Sequence, residues 1–288
     1  NEFIGLAYFA EIPATIINVQ RGGPSTGMPT RTQQSDVLAC AHASHGDTKH
    51  VLLFPEDPAE CFGFAAEALD LADRLQTPVF VMSDLDIGMN QRLCAPFQWD
   101  SSRRLDRGKV MSAEDLEAGR EFARYKDVDG DGIPWRTLPG THPTQGAYFT
   151  RGSTRDAQAR YSESGHDYVY NVQRLLAKFA TAAALVPQPV LRPAPKKTRL
   201  GVIYFGSTSP ALREALDALQ EGGIVLDRTI FYATSGGQPG DTGYLERASG
   251  ERMKDKFGQP VVVENKPAAG GTVATGEVVR AAPGGSVM

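Results

Sequence analysis

The apolar positions of the first hundred residues change between short runs and helical spacing. Mostly apolar runs at 12–19 and 79–82 predict buried strands, and residues 51–54 predict a shorter one. Between the last two strands, residues 58–76 predict an amphipathic helix with one buried face. Its apolar positions recur at spacings of three and four: Phe62, Ala65, Leu69 and Ala72. Strand, helix and strand in this order predict an α/β domain with a parallel sheet.

A polar loop interrupts this pattern after the first strand. Residues 18–36 read N-V-Q-R-G-G-P-S-T-G-M-P-T-R-T-Q-Q-S-D, rich in glycine, hydroxyls and amides. Such a loop keeps backbone N–H groups available to a small polar or anionic ligand, but it is also typical of a surface turn. Since parallel strands end at one edge of a sheet, residues 83–86 should lie beside the loop. The pattern alone leaves both interpretations open.

The second half of the chain predicts a long helix and a domain boundary. Residues 167–185 predict an amphipathic helix with Val172, Leu175, Leu176 and Phe179 on its apolar side. Residues 186–198 form a proline-rich, semi-rigid linker. The predicted units are therefore a partial first domain over 1–185 and the start of a second α/β domain over 199–224, followed by an irregular composite tail over 225–288.

The second predicted domain starts with its own strand and helix. Residues 200–205 predict a strand, and residues 206–209 predict a turn. A helix is predicted over 210–220, with Ser209 as its cap and Pro210 in its first turn.

Composition excludes several classes of protein. The 288 residues are 41% hydrophobic and 22% charged, with a net charge of −4 and interspersed signs, which disfavours a nucleic-acid partner. No apolar run is long enough for a membrane span, so no membrane partner is expected. Cys40, Cys61 and Cys94 lie far apart without a CxxC pair, which predicts reduced core thiols in a cytoplasmic protein.

One acidic loop has partial metal-binding spacing. Asp127, Asp129 and Asp131, followed by Gly132, match the first half of a calcium loop. Position twelve of such a loop falls on Leu138 and not on a glutamate, and ordinary turn chemistry also uses Asp and Gly. No histidine has enough cysteine or carboxylate neighbours in sequence to complete a zinc site, so no metal ligand is predicted.

Several segments, in order, resemble one enzyme family. Residues 11–36, E-I-P-A-T-I-I-N-V-Q-R-G-G-P-S-T-G-M-P-T-R-T-Q-Q-S-D, closely resemble the thiamine-diphosphate pyrimidine-binding domain of 2-oxoacid:ferredoxin oxidoreductase alpha subunits, particularly the 2-oxoglutarate type. Further segments continue the match: 45–50, 74–90, 127–141 and 199–216. The resemblance covers about residues 1–224.

This resemblance implies an activity and a site. The family cleaves a 2-oxoacid oxidatively with coenzyme A and passes two electrons to ferredoxin. Arg21 would be the catalytic and substrate-binding residue that pairs with the substrate carboxylate, because a guanidinium offers bidentate pairing. The remaining predicted substrate-binding residues are Gly23, Ser25, Thr26 and Thr30. Thiamine diphosphate with its magnesium would be shared with a beta subunit, and the iron–sulfur cluster would belong to that partner.

Two resemblances concern the tail. Residues 225–243 resemble the editing region of alanyl-tRNA synthetases, without its His and Cys metal ligands. Residues 251–283 resemble the periplasmic carboxylate-binding proteins of tripartite tricarboxylate transporters.

The family pattern also includes parts that this sequence does not show. Its activating glutamate with a Pro-Ile-Thr-Pro loop, and a gamma-type domain, would precede Asn1. The chain is therefore expected to be a fragment that is inactive alone. A carboxylate-binding module and a non-catalytic partner subunit remain the alternatives.

Overall fold

The computed structural model describes residues 1–23, 26–44, 47–191, 202–221, 224–225 and 246–247. The helices are α1 (Glu2–Ala10), α2 (Val37–Ala41), α3 (Pro58–Leu75), α4 (Leu85–Met89), α5 (Ala113–Glu117), α6 (Gly165–Leu185) and α7 (Thr208–Glu221). The strands are β1 (Ala14–Gln20), β2 (Val51–Leu53), β3 (Pro78–Asp84), β4 (Thr154–Arg155), β5 (Tyr161–Ser162), β6 (Ile224–Val225) and β7 (Glu246–Arg247). Among these described residues, no helix is both long and apolar enough to cross a membrane.

A parallel sheet organises the first domain, as predicted. Its strand order is β1-β3-β2, and every residue of the central strand β3 is buried. Helices α3 and α6 pack on one face through a cluster that contains Leu71 and Val79. On the other face, Phe80 and Met82 pack with Cys40 of α2 and with α1. The result is a three-layer α/β/α arrangement.

The prediction that the first strand is buried was wrong. In strand β1 only Gln20 is buried, while the other positions are partly buried or exposed, and Ile17 is 65% exposed. Strand β1 is an edge strand of the described sheet, and successive side chains of a strand point to opposite faces. Ile16 therefore packs against Phe80 and Met82 while its neighbour does not.

The buried face of α3 also differs from the prediction. The helix is present, and Asp57 caps it by accepting a hydrogen bond from the Glu60 N–H at 2.8 Å. Phe62 and Leu69 are exposed, however, and Phe62 stacks on Phe97 with ring centroids 5.0 Å apart. Of the predicted positions Ala72 is in the core, where its buried neighbours are Ala68, Leu71 and Leu75. Helix α3 therefore packs on the sheet through a face rotated from the one that the spacing suggested.

The most buried positions of helix α6 are largely polar, although Phe179 of the predicted apolar face packs against the core and Val172 and Leu175 are partly buried. Leu176 is 51% exposed, whereas the buried positions are Asn171, Arg174, Lys178 and Ala182. The two basic side chains turn inward because both pair with Glu11, which ends α1 and is 1% exposed. Arg155 of β4 also donates to Glu11, at 3.1 Å. A buried ion cluster therefore joins α1, β4 and α6.

Of the strand and helix predicted after the linker, the helix is present and the strand is not found in its described part. Residues 202–205, the described part of the predicted strand, form no strand, and α7 begins at Thr208 and not at Pro210. This segment packs against the first domain: the Phe54 and Phe205 rings lie 4.6 Å apart, and Arg213 pairs with Glu56 at 2.6 Å.

The three cysteines are free, but they are not all core residues. Cys40 is buried, as predicted, while Cys61 is partly buried and Cys94 is exposed. Burial raises the pKa of the Cys40 thiol to about 11, and the nearby Asp36 carboxylate adds to this effect. Cys40 is therefore a protonated, inert thiol at neutral pH.

Candidate functional site

Strands β1 and β3 end side by side, as the sequence predicted. Gln20 and Asp84 are register partners, so the loop over 21–36 and helix α4 leave the sheet at the same edge. The buried Asp84 carboxylate accepts hydrogen bonds from the Asp86 and Ile87 N–H groups at 2.9 and 3.2 Å. This edge is where parallel sheets place their ligands.

Asp36 anchors the start of the loop. Its carboxylate accepts hydrogen bonds from the Arg21 N–H at 3.2 Å, the Gly23 N–H at 2.6 Å and the Asn18 amide at 3.2 Å. Burial alone would raise the pKa of Asp36, but these hydrogen bonds outweigh it and lower the pKa below the ordinary value. The ionised carboxylate therefore fixes the backbone around Arg21 at neutral pH.

The loop closes on itself through Gly27. The Met28 N–H donates to the Arg21 carbonyl oxygen at 2.9 Å, and Gly27 has a φ of +55°. A Cβ at this position would lie 1.8 Å from that carbonyl oxygen. Only glycine is compatible with both the left-handed conformation and the close approach.

The predicted site residues lie on the surface of this loop. Arg21, Gly23, Thr26 and Thr30 are exposed, and Ser25 lies outside the described residues. Within the part of the chain that the structure describes, the Arg21 guanidinium has no hydrogen-bond or ion-pair partner, whereas its backbone N–H is fixed by Asp36. The roles assigned to these residues stay predictions.

The sequence did not indicate that residues after the linker reach this edge. The Gln34 amide donates to Asp84 Oδ2 at 3.1 Å and to Ser207 Oγ at 3.3 Å, and its oxygen accepts from Thr208 Oγ1 at 3.1 Å. The Ser207 hydroxyl also donates to Asp84. The available signals were the strand end at Asp84 and the Gly-Ser-Thr turn, but neither reveals the pairing.

The acidic loop holds an ammonium group where a calcium loop would hold its ion. Asp127, Asp129 and Asp131 lie close enough together to share a cation. Lys109 Nζ donates to carboxylate oxygens of Asp129 and Asp131 at 2.8 Å and to the Ile133 carbonyl oxygen at 2.9 Å. The lysine already binds two of the three carboxylates and compensates part of their negative charge, which favours the turn interpretation.

Calcium should therefore leave the thermal stability of the protein unchanged. In a Lys109→Gln variant the carboxylates lose their counterion, and millimolar calcium should raise the Tm because it binds only the folded state. Differential scanning fluorimetry with and without calcium, with magnesium as the control ion, measures both effects. A calcium-dependent rise in the Tm of the unmodified chain would contradict this interpretation.

Two models of known protein families match parts of this chain. The family model for the thiamine-diphosphate-binding domain of pyruvate flavodoxin/ferredoxin oxidoreductases matches residues 1–119. The first part of the chain, with its parallel sheet, is therefore similar to a domain of that kind. A second model, for class II (A) tRNA synthetases, matches residues 198–283. Most of that range lies outside the described residues, and the tail resemblances stay predictions.

The individual relatives are named as subunits of a 2-oxoglutarate synthase and of a 2-oxoglutarate oxidoreductase. The 2-oxoglutarate synthase subunit KorA of Methanothermobacter thermautotrophicus is 31% identical over 227 residues, covering 77% of this chain and 56% of that protein. The 2-oxoglutarate oxidoreductase subunit KorA of Mycobacterium tuberculosis is 44% identical over 174 residues, covering 60% of this chain and 26% of that protein.

A solved structure agrees with these relatives. The 2-oxoglutarate:ferredoxin oxidoreductase of Magnetococcus marinus, with 2-oxoglutarate, coenzyme A and succinyl-CoA bound, matches with a TM-score of 0.66 at 26% identity. That match covers 77% of this chain and 37% of the other. The resemblance to 2-oxoacid:ferredoxin oxidoreductase alpha subunits is therefore confirmed. The chain spans about half or less of the length of these relatives.

One buried side chain fits a thiamine-type ligand. Gln20, at the end of β1, is buried, and its Oε1 accepts no hydrogen bond from the described residues. An unsatisfied buried acceptor costs roughly 1–3 kcal/mol, which a ligand with an N–H donor would relieve. The amino group of an aminopyrimidine is such a donor.

Proposed function

We propose that this chain is part of the alpha subunit of a 2-oxoacid:ferredoxin oxidoreductase that acts on 2-oxoglutarate or a similar 2-oxoacid. In the overall reaction the bond between the carboxyl and carbonyl carbons breaks and CO₂ leaves. The acyl group joins coenzyme A as a thioester, and two electrons pass to ferredoxin. The names of the relatives and the ligands of the Magnetococcus marinus structure support this proposal. We place the enzyme in the cytoplasm, with a beta subunit as the partner.

The observation that carries the proposal is the state of Arg21. Its backbone is fixed by Asp36, while its guanidinium lies exposed at the carboxyl edge of the sheet and pairs with nothing among the described residues. An arginine held in this way can form two parallel hydrogen bonds to the substrate carboxylate. Gly23, Ser25, Thr26 and Thr30 would complete the substrate pocket from the same loop.

The cofactors divide between the subunits in this proposal. Thiamine diphosphate, when bound, supplies the group that stabilises the carbanion left by decarboxylation. Gln20 would accept a hydrogen bond from its aminopyrimidine at the end of β1. Among the described residues, the one carboxylate cluster with metal-binding geometry already binds the Lys109 ammonium, so we assign magnesium and the diphosphate mainly to the beta subunit. The cysteines of this chain are far apart in sequence, so we assign the iron–sulfur cluster to the beta subunit as well.

The proposal assigns each predicted segment of the chain to a part of the alpha subunit. Residues 1–185 would be the partial pyrimidine-binding domain, and residues 186–198 the linker. Residues 199–224 would start the second domain, and residues 225–288 would be a composite tail. The contacts of Ser207 and Arg213 with the first domain support a second unit that docks at the site edge.

Replacing Arg21 tests the proposal. In the enzyme assembled with its beta subunit, Arg21→Gln should raise KM for 2-oxoglutarate roughly 10- to 100-fold, since a hydrogen-bonded charged group contributes about 1.5–3 kcal/mol. The KM for coenzyme A should stay unchanged. Steady-state kinetics with a ferredoxin or a viologen acceptor measures both constants.

Arg31 is the matched control. It lies on the same loop and is exposed, and its guanidinium contacts the Thr30 carbonyl oxygen at 3.4 Å. Arg31→Gln should change KM less than about threefold, the range of an exposed polar contact. Equal effects of the two substitutions would show a general loss of positive charge and not a specific carboxylate site. Tight 2-oxoglutarate binding by this chain alone would instead favour a carboxylate-binding module.

A further inference from the structure

We propose that Gln34 is a positioning residue that holds the Arg21 loop in register against residues 205–213. In this arrangement the segment after the proline-rich linker sets the affinity of the loop for the substrate carboxylate. The inference rests on the proposed function of Arg21. It extends that function to residues that lie more than 170 positions away in the sequence.

Both the nitrogen and the oxygen of the Gln34 side-chain amide form hydrogen bonds. The nitrogen donates to Asp84 Oδ2 at 3.1 Å on the sheet side and to Ser207 Oγ at 3.3 Å on the other side. The oxygen accepts from the Thr208 hydroxyl at 3.1 Å. A planar amide with partners on the sheet and on the later segment has little freedom to rotate, so the loop backbone at residue 34 follows both partners.

Gly206 makes room for this contact. It has a φ of +61°, and a Cβ at this position would lie 3.1 Å from Gln34 Nε2. The turn thus lets the amide approach the backbone of the later segment, where the Phe205 carbonyl oxygen lies 3.4 Å from the same nitrogen. The fit is a close packing of two segments.

The later segment has an anchor of its own that does not involve Gln34. Arg213 donates two hydrogen bonds to the Glu56 carboxylate, at 2.6 and 2.7 Å, and Ser209 donates to the same group. The hydrogen bond from Arg213 holds the pKa of Glu56 below its ordinary value, so the pair is ionised at neutral pH. The Phe54 and Phe205 rings pack beside it.

The loop therefore has two fixed points. Asp36 holds its start through the Arg21 and Gly23 N–H groups, and Gln34 ties the same stretch to the later segment. Gln34 and Asp36 are two residues apart, so a shift at Gln34 displaces Asp36 and, through it, the backbone of Arg21. Because Arg21 needs a defined geometry to pair bidentately, loosening this register should weaken substrate binding more than the chemical step.

The experiment uses the enzyme assembled with its beta subunit. Gln34→Met keeps the length of the side chain and removes its hydrogen bonds, and it should raise KM for 2-oxoglutarate about tenfold with kcat within about twofold. Thr208→Val should raise KM about threefold, and Thr208→Ser, which keeps the hydroxyl, should restore the original value. The KM for coenzyme A should not change, and the Tm should fall by only about 2–4 °C, because Asp84 keeps its hydrogen bond from Ser207.

A double-mutant cycle tests the route of the coupling. Arg213→Gln loosens the anchor of the later segment and should raise KM alone, but it should add little in a Gln34→Met background, because the connection to the loop is already lost. Full additivity would overturn the proposal. An unchanged KM in Gln34→Met, with a raised KM in Arg21→Gln, would overturn this inference and leave the proposed function intact. If Arg21→Gln also has no effect, both are wrong.

Discussion

Replacing Glu11 with glutamine will lower the free energy of unfolding by about 3–5 kcal/mol, the range for breaking a buried ion pair from one side. Glu11 is 1% exposed and pairs with Arg155, Arg174 and Lys178. Arg124, also buried, donates to the backbone carbonyl oxygen of Glu11 at 2.9 Å. One carboxylate thus faces several buried cations, and its loss leaves all of them without a counter-charge.

The expected loss is measured by urea unfolding of both proteins, with Glu121→Gln as the matched control. Glu121 also pairs with a lysine, Lys126 at 2.8 Å, but both partners are exposed. An exposed pair contributes about 0–1 kcal/mol. The two substitutions should therefore differ by several-fold. Equal losses would show that the burial of the Glu11 cluster has no energetic consequence.

The difference in unfolding free energy between the protein and its Glu11→Gln variant should become smaller as the pH falls. Burial alone would raise the pKa of Glu11, but Arg174 and Lys178 hold it well below its ordinary value. A carboxylate with a lowered folded-state pKa stabilises the fold above its unfolded pKa, about 4.3, and loses this contribution as the pH falls towards the folded value. The two unfolding free energies should therefore converge below about pH 4.

Replacing Lys178 should lower the stability less than replacing Glu11 does. Burial lowers its pKa to about 8, which the attraction of Glu11 only partly counteracts, while the nearby Arg174 lowers it further. The cluster has more cations than its single carboxylate can compensate, so Lys178→Met should cost less stability than Glu11→Gln. In the Glu11→Gln background the same change should restore stability, because it removes a buried unpaired charge.

The sheet was predictable because its signal is local. The apolar run at 79–82 corresponds to the central strand, and the order of strands and helices determines a parallel connection. Each of these features can be derived from neighbouring residues without knowledge of the tertiary structure.

The helix faces were not predictable in the same way. The α6 pattern indicated an apolar face, yet Arg174 and Lys178 turn inward because Glu11, more than 160 positions earlier, lies opposite them. Apolar spacing does not report such a partner, and the same spacing misplaced the buried face of α3. Periodicity predicts that a helix is amphipathic, but it does not predict that a buried ion pair places basic residues at the most buried positions.

In the candidate site, too, local features were predictable from the sequence and long-range contacts were not. The loop that carries Arg21 and its position beside Asp84 follow from composition and from the parallel sheet, so both were predicted. The contacts of Gln34 with Ser207 and Thr208 connect segments separated by the linker, and composition does not predict such a contact. The same holds for Asp36, whose hydrogen bonds to the Arg21 backbone require the folded loop.

Replacing Gly132 with alanine should destabilise the chain by roughly 3 kcal/mol or more, from backbone strain together with overpacking. Gly132 has a φ of +78°, and a Cβ there would lie 2.2 Å from the Lys178 backbone nitrogen and 2.4 Å from the Arg174 carbonyl oxygen. These are backbone atoms of α6, which cannot move without disturbing the cluster around Glu11. Close approach to α6 therefore accounts for the glycine that ends the acidic motif.

Gly130→Ala separates the two contributions to this loss. Gly130 belongs to the same motif and has a φ of +84°, but apart from its two chain neighbours no residue has an atom within 4 Å of the added Cβ. The Gly130→Ala variant should lose only roughly 1 kcal/mol of unfolding free energy, the cost expected for a non-glycine residue in the left-handed region. Urea unfolding of both variants, with the Tm as a second measure, gives the difference due to the contact with α6. Equal losses would show that the conformation alone requires glycine, and that the loop and α6 are not tightly packed at Gly132.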